Sequence, residues 1–107
     1  MIDDDLPIGT VTIDDVRPEV IQFAVAMEKV LRRNDYKGGW VDCSYAYLIT
    51  CLEDEVKELR SAYCKRRDVF STMHEEAIDV ANFAMMIYDK WNHDLDAWLN
   101  APRDAER

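Results

Sequence analysis

Four carboxylates in the second half of the chain have the residue types and the spacing to bind a metal ion. Glu55 and Glu58 lie three residues apart, and Glu76 and Asp79 repeat that spacing after 17 intervening residues. Residues three apart on a helix are neighbours, so each pair of like charges is repulsive unless a cation lies between them. Hard divalent cations bind such oxygen ligands, although a single pair of this kind is more often a solvated helix face.

The helix predicted around the second pair strengthens the metal interpretation. Residues 77–88 are apolar on nearly every side, which predicts a helix that is buried almost all round. Measured from Phe83, Glu76 and Asp79 point within about 40° of one direction, toward the face that packs most deeply. A buried carboxylate needs a proton or a partner.

Basic partners for these acids are hard to find in the same region. The bases of this region lie mostly on the predicted polar face or in the connecting loop: Lys57, Arg60, Lys65, Arg66 and Arg67. A divalent cation is therefore the simpler compensation, and a salt-bridged structural pair is the alternative.

Three main helices are predicted to position these side chains. The first runs from about Asp15 to Arg33, with Asp14 or Asp15 as its cap and Pro18 in its first turn. The second runs from about Ser44 to Arg66. The third is opened by a capping-box pattern, Thr72 followed by Glu75, and runs to about Trp91. A short amphipathic C-terminal helix is predicted from Leu95 to Leu99, and residues 34–40, with adjacent glycines, form the one clear loop.

The predicted fold is an all-α, compact helical bundle of three main helices plus the short C-terminal helix, in a single domain spanning residues 1–107. Residues 1–13 are predicted to form an extended acidic arm and residues 101–107 a polar tail. A helix that is apolar all round needs more cover than three short neighbours supply, so oligomerisation is expected to complete the bundle.

Composition and charge exclude several classes of function. The chain is 49% hydrophobic and 33% charged, which is typical of a folded protein. Its formal net charge of −9 repels nucleic acid and anionic membranes, so no nucleic-acid or membrane partner is expected. A phosphate-bearing ligand would need a local positive charge, and a bound divalent cation can supply it.

Cysteine usage and the N-terminus point to a soluble, cytoplasmic protein. Cys43, Cys51 and Cys64 are odd in number and contain no C-x-x-C pair, which argues against a disulfide framework or a zinc knuckle. The N-terminal residues do not form a basic region followed by an apolar stretch, so no secretion signal is predicted. The longest mostly apolar run, residues 77–88, is too short to span a bilayer.

The two acidic motifs, in this order and on predicted helices, resemble the E-x-x-E…E-x-x-D signature of the all-α NTP pyrophosphatase superfamily, which includes MazG-like proteins. Residues 52–59 and 79–87 look like the two metal helices of that family, and residues 37–40 are similar to a loop of its MazG-like branch. The resemblance covers roughly residues 18–92. It implies a single MazG-like helical domain, assembled as a homodimer or homotetramer, with Mg²⁺ as cofactor and Mn²⁺ as a possible substitute.

The same resemblance implies hydrolysis of a nucleoside triphosphate, either ribo- or deoxyribo-, to the monophosphate and pyrophosphate, in control or housecleaning of the nucleotide pool. Glu55, Glu58, Glu76 and Asp79 are then the metal-binding and catalytic residues, with Glu55 preferred if one glutamate also acts as the general base.

Five further residues are candidates for substrate binding. Lys37, Lys65 and Arg66 could contact phosphates, Trp40 could stack on the base, and Asn82 could bind the sugar or a phosphate. Each has a structural alternative. Trp40 can cover the bundle end, Lys65 and Arg66 can form a solvated helix terminus, and Asn82 can be a buried amide bonded to backbone.

Two other functions fit the same residues. Phosphoribosyl-ATP pyrophosphohydrolases resemble this pattern in their metal helices. A non-catalytic helical regulatory or interaction module could carry the acids only for solubility. The preferred base and sugar are not encoded in any pattern recognised in the sequence, because specificity depends on pocket shape.

Overall fold

The structure, a computed structural model, describes residues 11–34, 39–67 and 72–102, and all regular structure in these ranges is helical. A 3₁₀ turn over Ile13–Asp15 precedes helix α1 (Pro18–Arg33), and a second 3₁₀ turn over Gly39–Asp42 precedes α2 (Tyr45–Cys64) and α3 (Thr72–Asn100). The predicted all-α class is therefore confirmed. Completion of the bundle by oligomerisation and the extent of the domain stay predictions.

Helix α1 begins later than predicted and is capped differently. Pro18 is its first residue, and Arg17 before it has φ −59° and ψ 142°, outside the helical region. A residue that precedes proline is disfavoured in the helical conformation, so the helix cannot extend back to Asp15. Asp15 instead closes the first 3₁₀ turn, where its Oδ2 accepts hydrogen bonds from the backbone N–H and the hydroxyl of Thr12, both at 3.1 Å.

Helices α2 and α3 form an antiparallel hairpin. The N-cap of α2 is Ser44, whose hydroxyl accepts a hydrogen bond from the backbone N–H of Tyr47 at 3.1 Å. Tyr45, at the start of α2, donates a hydrogen bond to Asp94 in the last third of α3. Near the other end of the hairpin, Glu58 and Glu76 line the same cleft. The two acidic motifs, one on each helix, are thereby brought face to face.

The predicted short C-terminal helix is not a separate element. Residues 95–99 belong to α3, which runs without interruption for 29 residues to Asn100. The polar residues Asn92, His93 and Asp94, which lie between the two predicted helices, do not break α3, because only glycine and proline strongly oppose a continuing helix and neither occurs there.

The core is small and lies where the three helices and the second 3₁₀ turn meet. Leu31 of α1, Leu48 of α2 and Met86 of α3 form its buried centre. Partly buried hydrophobic residues pack around that centre: Trp40, Cys43, Phe83, Met85 and Ile87. Helix α1 packs against α3 and not against α2.

Helix α3 is not buried all round within one chain, contrary to the sequence-based expectation. Ile78, Asn82 and Met86 are buried, but Ala84 is exposed and Tyr88 is 71% exposed on the opposite side. All residues from Trp91 to Pro102 are exposed. None of the helices in the described ranges is long and apolar enough to cross a membrane.

Candidate metal centre

The hairpin brings three of the four predicted metal ligands together. One carboxylate oxygen each from Glu55, Glu76 and Asp79 can be chosen so that all three lie within 4.8 Å of one another. Glu55 comes from α2 and the other two come from successive turns of α3, and all three side chains are partly buried. This geometry follows from the antiparallel pairing, which turns the inner faces of both helices toward the same space.

Glu58, the fourth predicted ligand, lies at the rim of this cluster. It is exposed and does not belong to the group of three converging oxygens. Its charge nevertheless acts on every member of that group, because it raises the pKa of Glu55, Glu76 and Asp79. It is one turn from Glu55 on α2 and lines a cleft with Glu76.

The electrostatics of the cluster are those of acids that lack a counter-ion. Burial, followed by the nearby charges of Glu58, Asp79, Glu76 and Asp54, raises the pKa of Glu55 to about 7. Because burial and neighbouring carboxylates both disfavour the ionised form, the cluster resists becoming fully charged without a cation.

The two acids of α3 show the same direction of shift. The pKa of Glu76 is raised by burial, then by Glu58, Asp79 and Glu75. Burial also raises the pKa of Asp79, with Glu58 and Glu75 contributing, while the positive charge of Arg33 acts in the opposite direction. Arg33 thus offsets the repulsion at Asp79 only in part.

Unpaired oxygens in the cluster are the best test of whether a metal ion fits. Oε1 of Glu55 and Oε1 of Glu76 are buried and accept no hydrogen bond. A buried acceptor without a donor costs about 1–3 kcal/mol, and more if it is charged. Oxygen ligands in this number and of this type suit Mg²⁺ or Mn²⁺, so the residues present fit such an ion.

Lys65 is the predicted phosphate contact that the structure places beside the carboxylates. It follows the last turn of α2 and lines a cavity of about 240 Å³ together with Glu58, Ser61, Thr72 and Glu76. A lysine at this position can attract a phosphate to a cleft whose other charged side chains are acidic.

Arg66 is not placed at the cluster. The guanidinium of Arg66 lies 4.2 Å from the centre of the Tyr63 ring and donates a hydrogen bond to the carbonyl of Tyr63 at 3.0 Å. Lys37 lies outside the described residues.

Trp40 lies far along α3 from the carboxylates and makes structural contacts. Its indole N–H donates a hydrogen bond to Oδ2 of Asp89 at 2.8 Å, and its ring packs on the core. Asp89 is ten residues beyond Asp79, or about 15 Å along the helix. Within one chain, Trp40 is therefore not in position to stack on a nucleotide held by the carboxylates.

Asn82 is buried one turn beyond Asp79, with 4% of its surface exposed. Its Nδ2 donates a hydrogen bond to the carbonyl of Met27 at 3.3 Å, which fixes the orientation of the amide. Its Oδ1 is buried and has no donor. The amide is thus partly satisfied by backbone, as the structural alternative expected, and keeps one acceptor unused.

Arg33 is a base near the cluster that sequence reasoning missed. It is the last residue of α1, whereas bases were sought on α2 and in the loop after it. The apolar spacing of α1 predicts which of its faces is buried but not which neighbour it packs on, so no signal in the sequence placed Arg33 near Asp79.

A cavity larger than the cleft beside the carboxylates lies elsewhere. It has a volume of about 610 Å³ and lies between α1 and the start of α3, where its lining includes Phe23, Ala26 and Ile78. None of the four carboxylates lines it. Lys29 and His74 also line it, but it lacks a group of converging acids that could hold a cation, so the carboxylate cluster remains the better candidate for a metal-dependent site.

No family model matches this chain, and neither a curated protein nor a solved structure was found to be similar to it.

Proposed function

We propose that this protein is a magnesium-dependent nucleoside triphosphate pyrophosphohydrolase of the all-α, MazG-like type. The observation that supports this most strongly is the convergence of Glu55, Glu76 and Asp79 within 4.8 Å, with two buried oxygens that have no donor. The resemblance of the two acidic motifs to that superfamily gives the cluster its proposed chemistry.

Glu55, Glu76 and Asp79 would hold the cation, and Glu58 would join them from the rim of the cleft. A divalent cation bound there would neutralise phosphate charge and act as a Lewis acid toward water and the substrate. The cluster alone is negatively charged and would repel a triphosphate, which is why the proposed activity requires the ion.

The chain's own residues would orient the substrate and accept the proton. A water oxygen forms a bond to the α-phosphorus, the bond from that phosphorus to the bridging oxygen of the leaving pyrophosphate breaks, and the water proton passes to a carboxylate. Glu55 is the preferred acceptor if one glutamate also acts as the general base. Its pKa of about 7 is that of the metal-free cluster, and a bound cation would lower it. Lys65 would contact the phosphates from the end of α2.

The substrate is proposed to be a ribo- or deoxyribonucleoside triphosphate, canonical or modified, and the protein is proposed to act as a homo-oligomer. The exposed apolar residues of the helices support assembly, because an apolar patch on a folded chain commonly marks an interaction site.

A pyrophosphate-release screen tests the proposal. Purified protein with Mg²⁺ is incubated with each common ribo- and deoxyribonucleoside triphosphate and with phosphoribosyl-ATP, and the products are identified. We expect release of pyrophosphate from at least one nucleoside triphosphate, with a loss of about 100-fold or more in Glu76→Gln. Glu28→Gln, an exposed glutamate of α1, is the matched control and should retain full activity.

The other outcomes of this screen are also informative. Turnover of phosphoribosyl-ATP alone would replace the proposal with that activity. No turnover, together with no calorimetric binding of Mg²⁺ or Mn²⁺, would overturn the enzyme and leave a helical interaction module. Retained activity in Glu76→Gln would place the chemistry outside this cluster.

A further inference from the structure

The outer face of α2 carries an apolar stripe that stays largely exposed and packs against no helix of the described ranges. Ile49, Val56 and Tyr63 follow one another at seven-residue intervals and are 44%, 48% and 46% exposed. Seven residues are nearly two full turns, so these side chains form a line along the helix. Leu52 and Leu59 fall between them and are partly buried.

This stripe lies beside the face of α2 that packs on α3. Leu48, Glu55 and Ala62 form the inner face, and the stripe is about 100° further around the helix, since each of its members follows one of them by a single residue. Helix α1 packs on α3 alone. In the described ranges, no helix covers the stripe.

Two opposite charges border the stripe on its exposed side. Glu53 and Arg60 are both exposed and, like the apolar residues, are seven positions apart. They lie about 10 Å apart along the helix, too far to pair with each other. Neither has an ion-pair partner among the residues that the structure describes.

We propose that this stripe is the surface on which a second copy of the chain packs, with the two α2 helices antiparallel about a twofold axis between Lys57 and Glu58. Val56 then packs against Leu59 of the second copy. Glu53 then lies about 3 Å along the helix axis from the level of Arg60 of the second copy, within reach of the arginine side chain. Because a twofold interface is self-complementary, this contact occurs twice.

The charges select this register over its neighbours. A shift of the second copy by seven residues in one direction brings Glu53 against Glu53 of the other copy, and a shift in the other direction brings Arg60 against Arg60. Like charges facing each other across an interface are costly, so only the register centred between Lys57 and Glu58 combines apolar contact with two opposite-charge pairs.

The charge pattern also favours this face over the other exposed apolar surface. The C-terminal half of α3 exposes Tyr88, Trp91 and Leu95, but Asp96 beside them would bring carboxylates of both copies together, while Asp94 is paired with Lys90 of its own chain at 3.7 Å. The α2 stripe needs no partner of different sequence, because its own two charges complement each other. None of its residues is a proposed metal ligand, so the surface does not depend on the proposed catalysis.

Sedimentation equilibrium of charge variants tests the surface. The wild-type chain of 12.5 kDa is expected to sediment with twice that mass. Glu53→Arg and Arg60→Glu should each raise the dimer dissociation constant about tenfold or more, since each creates two like-charge contacts. The double variant Glu53→Arg with Arg60→Glu should restore it to within about threefold, because both pairs are re-formed with reversed sign.

Two further variants complete the test. Val56→Glu should be monomeric with unchanged helix content, since Val56 is 48% exposed in one chain and the substitution needs no burial of charge there. Asp96→Arg, on the rival face of α3, should leave the mass unchanged. Any one of four results would overturn the proposed interface: a monomeric wild type, a dimer that tolerates both single charge reversals, a double variant whose dimer is not restored, or loss of the dimer in Asp96→Arg. If monomeric Val56→Glu still binds a cation, the metal centre does not depend on the dimer, so failure of one proposal can be told from failure of the other.

Discussion

At the scale of single residues, the protein concentrates unused acceptors in one place. Oε1 of Glu55, Oε1 of Glu76 and Oδ1 of Asn82 are all buried and accept no hydrogen bond. A folded chain satisfies most of its buried polar atoms, so a group of unpaired oxygens beside partly buried carboxylates needs an explanation. A bound cation at the carboxylates provides one, and it makes the titration of Glu55 an observable property of the metal-free protein.

The stability of the metal-free protein should fall as pH rises through neutrality. The pKa of Glu55 in the folded state, about 7, is above its ordinary value, so the protonated form is favoured by folding. The contribution of protonated Glu55 to the free energy of unfolding is fully present below the ordinary pKa of a glutamate and is lost as pH rises toward and past 7. After allowance for solvent screening, we expect a loss of about 1–2 kcal/mol between pH 5 and pH 8.

Chemical denaturation in the presence of a chelator, repeated across this pH range, measures that loss. Glu55→Gln carries no titrating proton there, so its stability should vary less with pH than that of the wild type. Identical pH profiles for the two proteins would show that Glu55 ionises normally and that the acids are not held together as the structure indicates.

Substitutions of Asn82 should differ sharply in their effect on stability. Asn82→Leu loses the hydrogen bond to Met27 but also removes the unpaired Oδ1, so we expect a change within about 1 kcal/mol in the metal-free protein. Asn82→Asp places a further buried charge close to Asp79 and should cost about 3 kcal/mol or more.

Urea midpoints at neutral pH distinguish the two substitutions. Met86→Leu, one turn further along α3 and 2% exposed, is the control for a change of shape without a change of polarity. If Asn82→Leu were as damaging as Asn82→Asp, the amide oxygen would have to be making a stabilising contact.

At the scale of elements, one end of the hairpin is fastened by polar contacts while the other holds the acids. Trp40 bonds to Asp89, and Nζ of Lys90 donates a hydrogen bond to the carbonyl of Val41 at 2.9 Å. Both contacts attach the second 3₁₀ turn to α3. This division of the hairpin separates the effects of substitutions at its two ends.

Trp40→Phe should therefore weaken the fold and leave cation binding unchanged. Loss of a partly buried hydrogen bond to a carboxylate costs about 1–3 kcal/mol, while the metal centre is about 15 Å away along α3. Thermal unfolding and calorimetric titration with Mn²⁺ measure the two effects separately. A selective rise in the Michaelis constant for a nucleotide, with stability intact, would instead support stacking of Trp40 on a base.

The elements differ in how far the sequence could predict them. The start of α2 was predictable, because Ser44 is a strong capping residue before an amphipathic run, and the pairing of the two acidic motifs follows from a hairpin of two such helices. The start of α1 was missed because the restriction that Pro18 places on Arg17 outweighed the capping potential of Asp15. The continuity of α3 was missed because the apolar run ends near Trp91, whereas a helix needs no apolar residues to continue through a solvated segment.

The composition of the site was less predictable than its location. Glu58 has the spacing of a ligand, but it lies one turn beyond Glu55 on α2, at the exposed rim of the cluster. Helical spacing alone does not show which of these two acids faces inward. The approach of Arg33 depends on how α1 packs against α3. Trp40 shows the same limit, since the sequence shows an aromatic beside a glycine loop but not the carboxylate that it meets.

At the scale of the whole molecule, the net charge of −9 has to be separated from the specific effect of the acidic cluster. A chain with this excess of acids is destabilised by self-repulsion, and any salt reduces that repulsion by screening. Stabilisation by MgCl₂ alone would therefore not identify a site. Comparison with NaCl at equal ionic strength removes the general contribution.

We expect MgCl₂ to raise the melting temperature more than NaCl at matched ionic strength. A ligand that binds only the folded state at 100 times its dissociation constant adds about 2.7 kcal/mol, which is several degrees or more for a domain of this size. In Glu76→Gln the response to NaCl should persist, since one charge in 22 acids hardly changes the field, while the additional response to MgCl₂ should disappear. Equal responses to both salts in the wild type would mean that the acids bind no cation specifically and that their convergence does not make a metal centre.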